Sequence, residues 1–218
     1  MNDYKSFIVQ TLNSYKCKSV YDEWKILPIY NNEEIIGFLK PVTFFYKKVH
    51  SEYIHYICKW RTENPIGFTN VFENNHNKTE NWFDNVLLPR EDRILFVIHS
   101  LKDEPLGHIG LSTFNFDDKS CEIDNVVRGI KDGHQGIMSC ATSSLITWSK
   151  ECLKINDVYL RVLSDNIHAV QFYEKNNFVK QHDIPLYKQE SEDIIEWIHL
   201  DNVEDRDPDR YYTYMKLI

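Results

Sequence analysis

The run Cys121-Glu122-Ile123-Asp124-Asn125-Val126-Val127 reads as a strand. Alternation then points Glu122, Asp124 and Val126 to one face and Ile123, Asn125 and Val127 to the other. Two carboxylates stacked on one face repel, which raises the pKa of at least one. Asp124 and Glu122 are therefore candidates for a general base, or for gripping a cationic group. His108, on the neighbouring strand, is a third candidate because imidazole titrates near neutrality; a histidine hydrogen-bonded inside a sheet is an equally good reading of it. Directly after the carboxylate strand, residues 128–138 (Arg-Gly-Ile-Lys-Asp-Gly-His-Gln-Gly-Ile-Met) carry three glycines towards a helix. Such a turn leaves backbone N–H groups uncovered at a helix N-terminus, a cradle for a pyrophosphate. A glycine turn with no ligand is the competing reading.

These groups need elements to hold them. Residues 94–98 form a short apolar run, and 106–114 follow a polar turn that contains Pro105, which together predict a hairpin. The strand 120–128 closes a meander. Ile137, Ala141, Leu145, Trp148 and Cys152 recur at helical spacing, and the strand 157–163 completes a β-α-β unit whose two strands pair in parallel. Upstream, 35–38 and 42–46 are short candidate strands separated by Pro41, and 53–83 suggest helical turns joined by loops. Three further strands are expected near the C-terminus, at 184–187, 194–200 and 211–218, with a charged solvated loop over 201–210.

Composition narrows the function. A net charge of -8 disfavours broad binding to nucleic acid or anionic membranes, both of which need a positive field. Five cysteines without Cys-x-x-Cys spacing, no signal-peptide pattern and no apolar run of spanning length lead to the expectation of a cytoplasmic protein with reduced thiols. The nine histidines show no ligand spacing, so no metal site is expected.

Two motifs in order, the glycine turn and Asn166-x-x-Ala169-x-x-x-Tyr173-Glu174-Lys175-x-Asn177-Phe178, resemble the coenzyme A-binding half of the Gcn5-related N-acetyltransferase (GNAT) superfamily. Against the superfamily turn pattern Arg/Gln-x-x-Gly-x-Gly/Ala, the nearest register is Gly133 to Met138, and only Gly136 matches. Asn177 stands where a glycine is usual, and asparagine tolerates the left-handed conformation best among non-glycine residues. The resemblance implies an α/β (α+β) fold: a central mixed, mostly antiparallel, splayed sheet flanked by helices. Residues 1–55 would be an N-terminal extension packed on an acyltransferase domain at 56–218. It also implies acyl-CoA as cosubstrate and direct transfer of the acyl group to an amine. By the same resemblance Gly133, His134, Gln135, Gly136, Ile137 and Met138 meet the CoA phosphates, and Asn166 bonds the pantetheine arm. The N–H of Val126 or Val127 would polarise the thioester carbonyl, and Tyr173 would protonate the departing thiolate; a core aromatic is the alternative for Tyr173.

The strings 107–111, 122–129 and 160–166 further resemble bacterial enzymes that acylate dTDP-linked 3-amino-3,6-dideoxyhexoses for surface polysaccharides, with acetyl or 3-hydroxybutanoyl as the acyl group. On that resemblance Asn125 and Asp124 offer partners for sugar hydroxyls or the amine, Arg61 and Arg128 for phosphates, and Trp60 a stacking face. Trp60 is better read as structural. Other acceptors, a protein N-terminus or a polyamine, stay open, as does a degenerate CoA-binding regulatory protein. An exposed edge of the C-terminal strands would serve a homodimer.

Overall fold

The computed structural model describes residues 3–19, 21–131, 134–200 and 206–218. The chain begins with α1 (Asp3–Tyr15), β1 (Leu27–Asn31), β2 (Glu34–Pro41), α2 (Tyr46–Val49) and α3 (Glu52–Glu63). It continues through β3 (Asn70–Phe72), α4 (His76–Trp82), β4 (Ile94–Ser100), β5 (Pro105–Asn115), β6 (Ser120–Arg128) and α5 (Ile137–Glu151). The last part is β7 (Asp157–Leu163), α6 (Ile167–Lys175), β8 (Phe178–Glu190), β9 (Ile194–Ile198) and β10 (Arg210–Leu217). The strands form a sheet in the order β1-β2-β4-β5-β6-β7-β10-β8-β9-β3. Among these neighbours only β6 and β7 run parallel.

Strand β4 shows how the layers arise. It is buried along its whole length, because its two parities serve two cores. Ile94, Phe96 and Ile98 pack with Ile8 and Leu12 of α1, Ala141 and Leu145 of α5, and Tyr173 of α6. Leu95 and Val97 pack with Tyr53, Ile57 and Trp60 of α3. An apolar run without alternation is what a strand covered on both faces requires.

The expected hairpin, meander, helix and parallel β-α-β unit are all present. Asn177 has φ 66° at the end of α6, the left-handed conformation expected of the residue that stands for glycine. The strand expected at 42–46 is absent: the Thr43 hydroxyl accepts from the Phe45 N–H, the Thr43 carbonyl accepts from the Tyr46 N–H, and the chain turns into α2. A short strand, β3, lies where only helical turns and loops were expected. It exists through long-range pairing with β9, Asn70 opposite Glu196 and Phe72 opposite Ile194.

The alternation along β6 also needs correction. Asp124 lies opposite Gly110 and Val127 opposite His108, so Asn125 and Val126 together face Ile109. Asn125 takes φ 49°. This bulge inserts one residue and reverses the phase of everything after it. Val126 therefore turns to the α5 side, and Val127, not Val126, joins the face of Glu122 and Asp124.

Trp60 is fully buried against the start of the glycine turn. A Cβ at Gly129 would sit 1.9 Å from its ring. Gly129→Ala is expected to lower stability by about 1–3 kcal/mol through overpacking, read as a lower urea midpoint, with partial recovery when Trp60→Leu makes room. An unchanged midpoint would show that the indole can move aside.

Candidate active site

Past Glu122 the sheet splits. Parallel pairing of β6 with β7 ends where Glu122 lies opposite Tyr159, and the bulge at Asn125 turns β6 away. A cavity of about 410 Å³ fills the wedge, lined by residues of α3, β3, α4, β5, β6, β7, α6 and β10. It brings together most of the residues expected to act: His108, Glu122, Asp124, Asn125, Val126, Val127, Asn166, Tyr173 and Arg61.

The apex of the wedge is closed by charge. Arg161, two residues beyond the last paired position of β7, donates from Nε and Nη2 to both carboxylate oxygens of Glu122, at 2.8 and 2.7 Å. Glu122 therefore has its acceptor capacity largely committed. Asp124 accepts from Arg93 at 2.9 Å through Oδ2; its Oδ1 is buried with no partner at hydrogen-bonding geometry, although Ser112 and Asn125 lie near enough to favour the charged carboxylate. Room for this carboxylate comes from Gly110, whose Cβ would approach Oδ1 to 3.0 Å and the Ile94 carbonyl to 2.6 Å. Burial pushes the Asp124 carboxyl above its usual range, against the pull of Arg93; repulsion from Glu122 adds only a lesser rise. The expected rise is thus present, and desolvation, not carboxylate stacking, is its main cause.

His108 is tied to the bulge. The carbonyl of Asn125 accepts from its Nδ1 at 2.5 Å, so Nδ1 carries the proton and Nε2 holds a lone pair. That Nε2 is buried without a partner, beside the Trp60 ring at 6.0 Å between centroids. Burial lowers the imidazole pKa to about 4, offset in part by the Asn125 carbonyl and reinforced by the Arg61 charge. At neutral pH it is an uncharged acceptor.

From the other side of the wedge come α6 groups. Asn166 caps α6 by accepting from the Ala169 N–H at 3.3 Å, and its Nδ2 lies near Gly67 across the cavity. Tyr173 is buried with its phenol held above the usual range by desolvation and by Asp124 and Glu122, so it stays protonated and able to donate.

The remaining expected residues lie elsewhere. Gly133 falls outside the described residues. His134 and Gln135 are exposed, whereas Ile137 and Met138 bury their side chains in the main core, leaving only backbone for a ligand. Gly136 caps α5 at φ 82° with open space where a Cβ would be, a geometry that fits an approaching phosphate. Arg128 donates to the carbonyls of Ile130 and Lys131; it shapes the turn and does not line the cavity. Trp60, for which a structural role was the better reading over a stacking face, is fully buried behind His108. Arg93, Arg161, Lys78, Phe68 and Phe72 line the cavity without having been singled out. Arg161 falls within the string 160–166 but was given no role there; Phe72 is brought in by the β3–β9 pairing and Lys78 by α4, which no local motif marks.

Among the described residues no group of three or more His, Cys, Asp or Glu could hold a metal ion, and no helix is long and apolar enough to cross a membrane. Residues 50–179 match the family model described as Acetyltransferase (GNAT) domain. Similar solved structures include the apo form of RimL, a ribosomal-protein α-N-acetyltransferase, at TM-score 0.64 and 14% identity, covering 89% of this chain and 94% of that one. Another is the spermidine N-acetyltransferase of Vibrio cholerae in complex with CoA and spermine, at TM-score 0.58 and 15% identity, covering 77% and 90%. At such identities the likeness is one of fold. No curated protein sequence matches the chain.

The buried imidazole carries a stability signature. His108 titrates near 4 when folded against 6.5 ordinarily, so as pH falls the unfolded chain takes the proton first. Its contribution is complete above about pH 6.5 and is lost progressively down to about pH 4, on the order of 3 kcal/mol in all. His108→Asn keeps a donor for the Asn125 carbonyl and removes the titration. In urea denaturation at pH 7 and pH 4 the variant is expected to lose less stability than wild type by roughly that amount; an equal acid loss would place the titrating group elsewhere.

Proposed function

Because the chain belongs to the GNAT acetyltransferase family, we propose from that premise that it acylates the amino group of a nucleotide-linked amino sugar, with acetyl-CoA or 3-hydroxybutanoyl-CoA as donor. One observation carries the chemistry: Asp124 and His108, each with a buried acceptor atom, Oδ1 and Nε2, that has no partner, line the same cavity as Tyr173. Buried acceptors left open in this way cost about 1–3 kcal/mol each, a cost that an incoming N–H donor removes. The amine attacks the thioester carbonyl, the C–N bond forms and the C–S bond breaks. Asp124 takes the proton from nitrogen, with His108 as the second acceptor, and Tyr173 gives its proton to the departing thiolate. Backbone N–H groups at Val126 or Val127, beyond the end of β6–β7 pairing, serve the carbonyl oxygen. Asn166 serves the pantetheine arm, and the backbone at Gly136 the CoA phosphates.

The acceptor assignment rests on two supports. Residues 122–129 resemble the amino-sugar acyltransferases, and Asn125 lines the cavity. The cavity is also electropositive within an acidic protein: Arg61, Lys78, Arg93 and Arg161 line it against only Glu122 and Asp124, both already bonded to arginine. A polycationic acceptor meets repulsion there, whereas a nucleotide does not.

Thiol release measured with both acyl-CoAs against a dTDP-3-amino-3,6-dideoxyhexose, spermidine and an N-terminal peptide tests the acceptor; turnover with spermidine or peptide and none with the sugar would overturn the assignment. Asp124→Asn is expected to lower kcat/KM by about 10²–10⁴ with CoA affinity retained, and wild-type rates would move the base to His108. Tyr173→Phe is expected to lower kcat more than CoA affinity. Unchanged turnover would remove the phenol from the acid role.

A further inference from the structure

Four arginine and lysine side chains line the cavity, and two of them have no carboxylate. Arg93 and Arg161 are bonded to Asp124 and Glu122. Arg61 donates from Nη2 to the carbonyl and the side-chain oxygen of Asn70, at 3.2 and 2.6 Å. Lys78 donates to the Glu73 carbonyl at 2.9 Å. Among the described residues neither forms an ion pair with an acid. Arg61 is half-buried, and its guanidinium lies 4.1 Å from the Phe68 ring centre and 4.8 Å from that of Phe72. The Lys78 ammonium lies 5.2 Å from the same Phe72 ring.

The seat beneath these cations is built, not a loose loop. β3 pairs with β9 over Asn70, Val71 and Phe72, and the Trp197 N–H donates to the Thr69 carbonyl at 2.7 Å. Trp197 is in turn covered by Arg210, 4.7 Å from its ring centre, which is held by a two-pronged bond to Asp165. The C-terminal strands thus fix Phe72, while Phe68 packs on the core that holds Trp60.

A guanidinium partly withdrawn from water without a counter-charge carries a cost, and aromatic stacking returns only part of it. Its planar fork suits the paired oxygens of a phosphate, and Lys78 adds a point charge. We propose that Arg61 and Lys78 form the seat for the phosphate group of the amine acceptor, so that the substrate is a phosphorylated amine anchored by its anion while its nitrogen reaches Asp124 and His108. This rests on the amine-acylating reading of the cavity and states which end of the acceptor the Arg61 wall takes.

Calorimetric titration of the whole chain with dTDP, thymidine and inorganic phosphate, each in saturating CoA so that the CoA phosphates fill their own cradle, tests the seat. The expected result is binding of dTDP but not of thymidine, an increase in its Kd of about tenfold or more in Arg61→Gln, a smaller increase in Lys78→Gln, and competition by inorganic phosphate. The Kd for CoA should stay unchanged and serves as the control for folding. Equal dTDP affinity in wild type and in a CoA-binding Arg61→Gln would overturn the proposal, as would thymidine binding as tightly as dTDP. If Arg61→Gln fails to bind CoA, Lys78→Gln decides: an unchanged dTDP Kd overturns the proposal and a raised one supports it. Arg61-dependent dTDP binding without acylation of any amine keeps the phosphate seat and removes the acyl-transfer reading. Acylation of spermidine without dTDP binding does the reverse.

Discussion

The separation of β6 from β7 beyond Glu122 and Tyr159 is the constraint on which the rest of the molecule depends. A parallel ladder continued past that point would satisfy its own backbone and leave no cavity. Three local features prevent this. The bulge at Asn125, φ 49°, bends β6; the His108 imidazole donates to the Asn125 carbonyl; and the Glu122–Arg161 pair spans the apex. The first two belong together: turning a carbonyl out of the ladder leaves a buried acceptor, and His108 supplies its donor from the adjacent strand.

Holding the wedge open is destabilising. Arg93 Nε, His108 Nε2 and Asp124 Oδ1 are buried without partners at residues that line the wedge, and each such group costs about 1–3 kcal/mol. The offset comes from the layers above and below. One core collects residues from α1, α5 and α6, the other from α3 and the segment 83–88, so the central strands are covered on both faces. A site this poorly satisfied survives because the β4–β5 scaffold beside it is almost entirely buried.

Much of this was legible in the chain, for physical reasons that also set the limit. Periodicity located α5 and the β6–α5–β7 unit because burial on one face repeats at a fixed interval. Asn177 was legible because few residues accept φ near 66°. Alternation failed beyond Asp124 because a one-residue bulge leaves no mark in a pattern of period 2, and so Val126 and Val127 exchanged faces. Trp60 was better read as structural, and it is fully buried, but its packing against Gly129, far away in sequence, had no local sign. Arg93 and Arg161 went unnoticed for a related reason: whether a surface arginine or an active-site one stands at those positions is decided by the register of β6 against its neighbours, which no local pattern encodes.

The C-terminal strands show why the wall of the cavity was the hardest part to see. β10 inserts between β7 and β8, which carries β8 and β9 outward until β9 meets β3, a strand of three residues drawn from the loop after α3. Short segments that carry no recognisable chemistry are thereby joined at the rim of the wedge, Asn70 opposite Glu196. The proposed reacting groups lie on β5, β6 and α6, while Phe72, beside Arg61, is placed by β9. A change in β8 or β9 can therefore alter which acceptor fits without touching a group that handles a proton. On the proposed reading, chemistry and acceptor choice fall to separate parts of the fold, joined where β7 pairs with β10 and Arg161 lies over the Tyr212 ring.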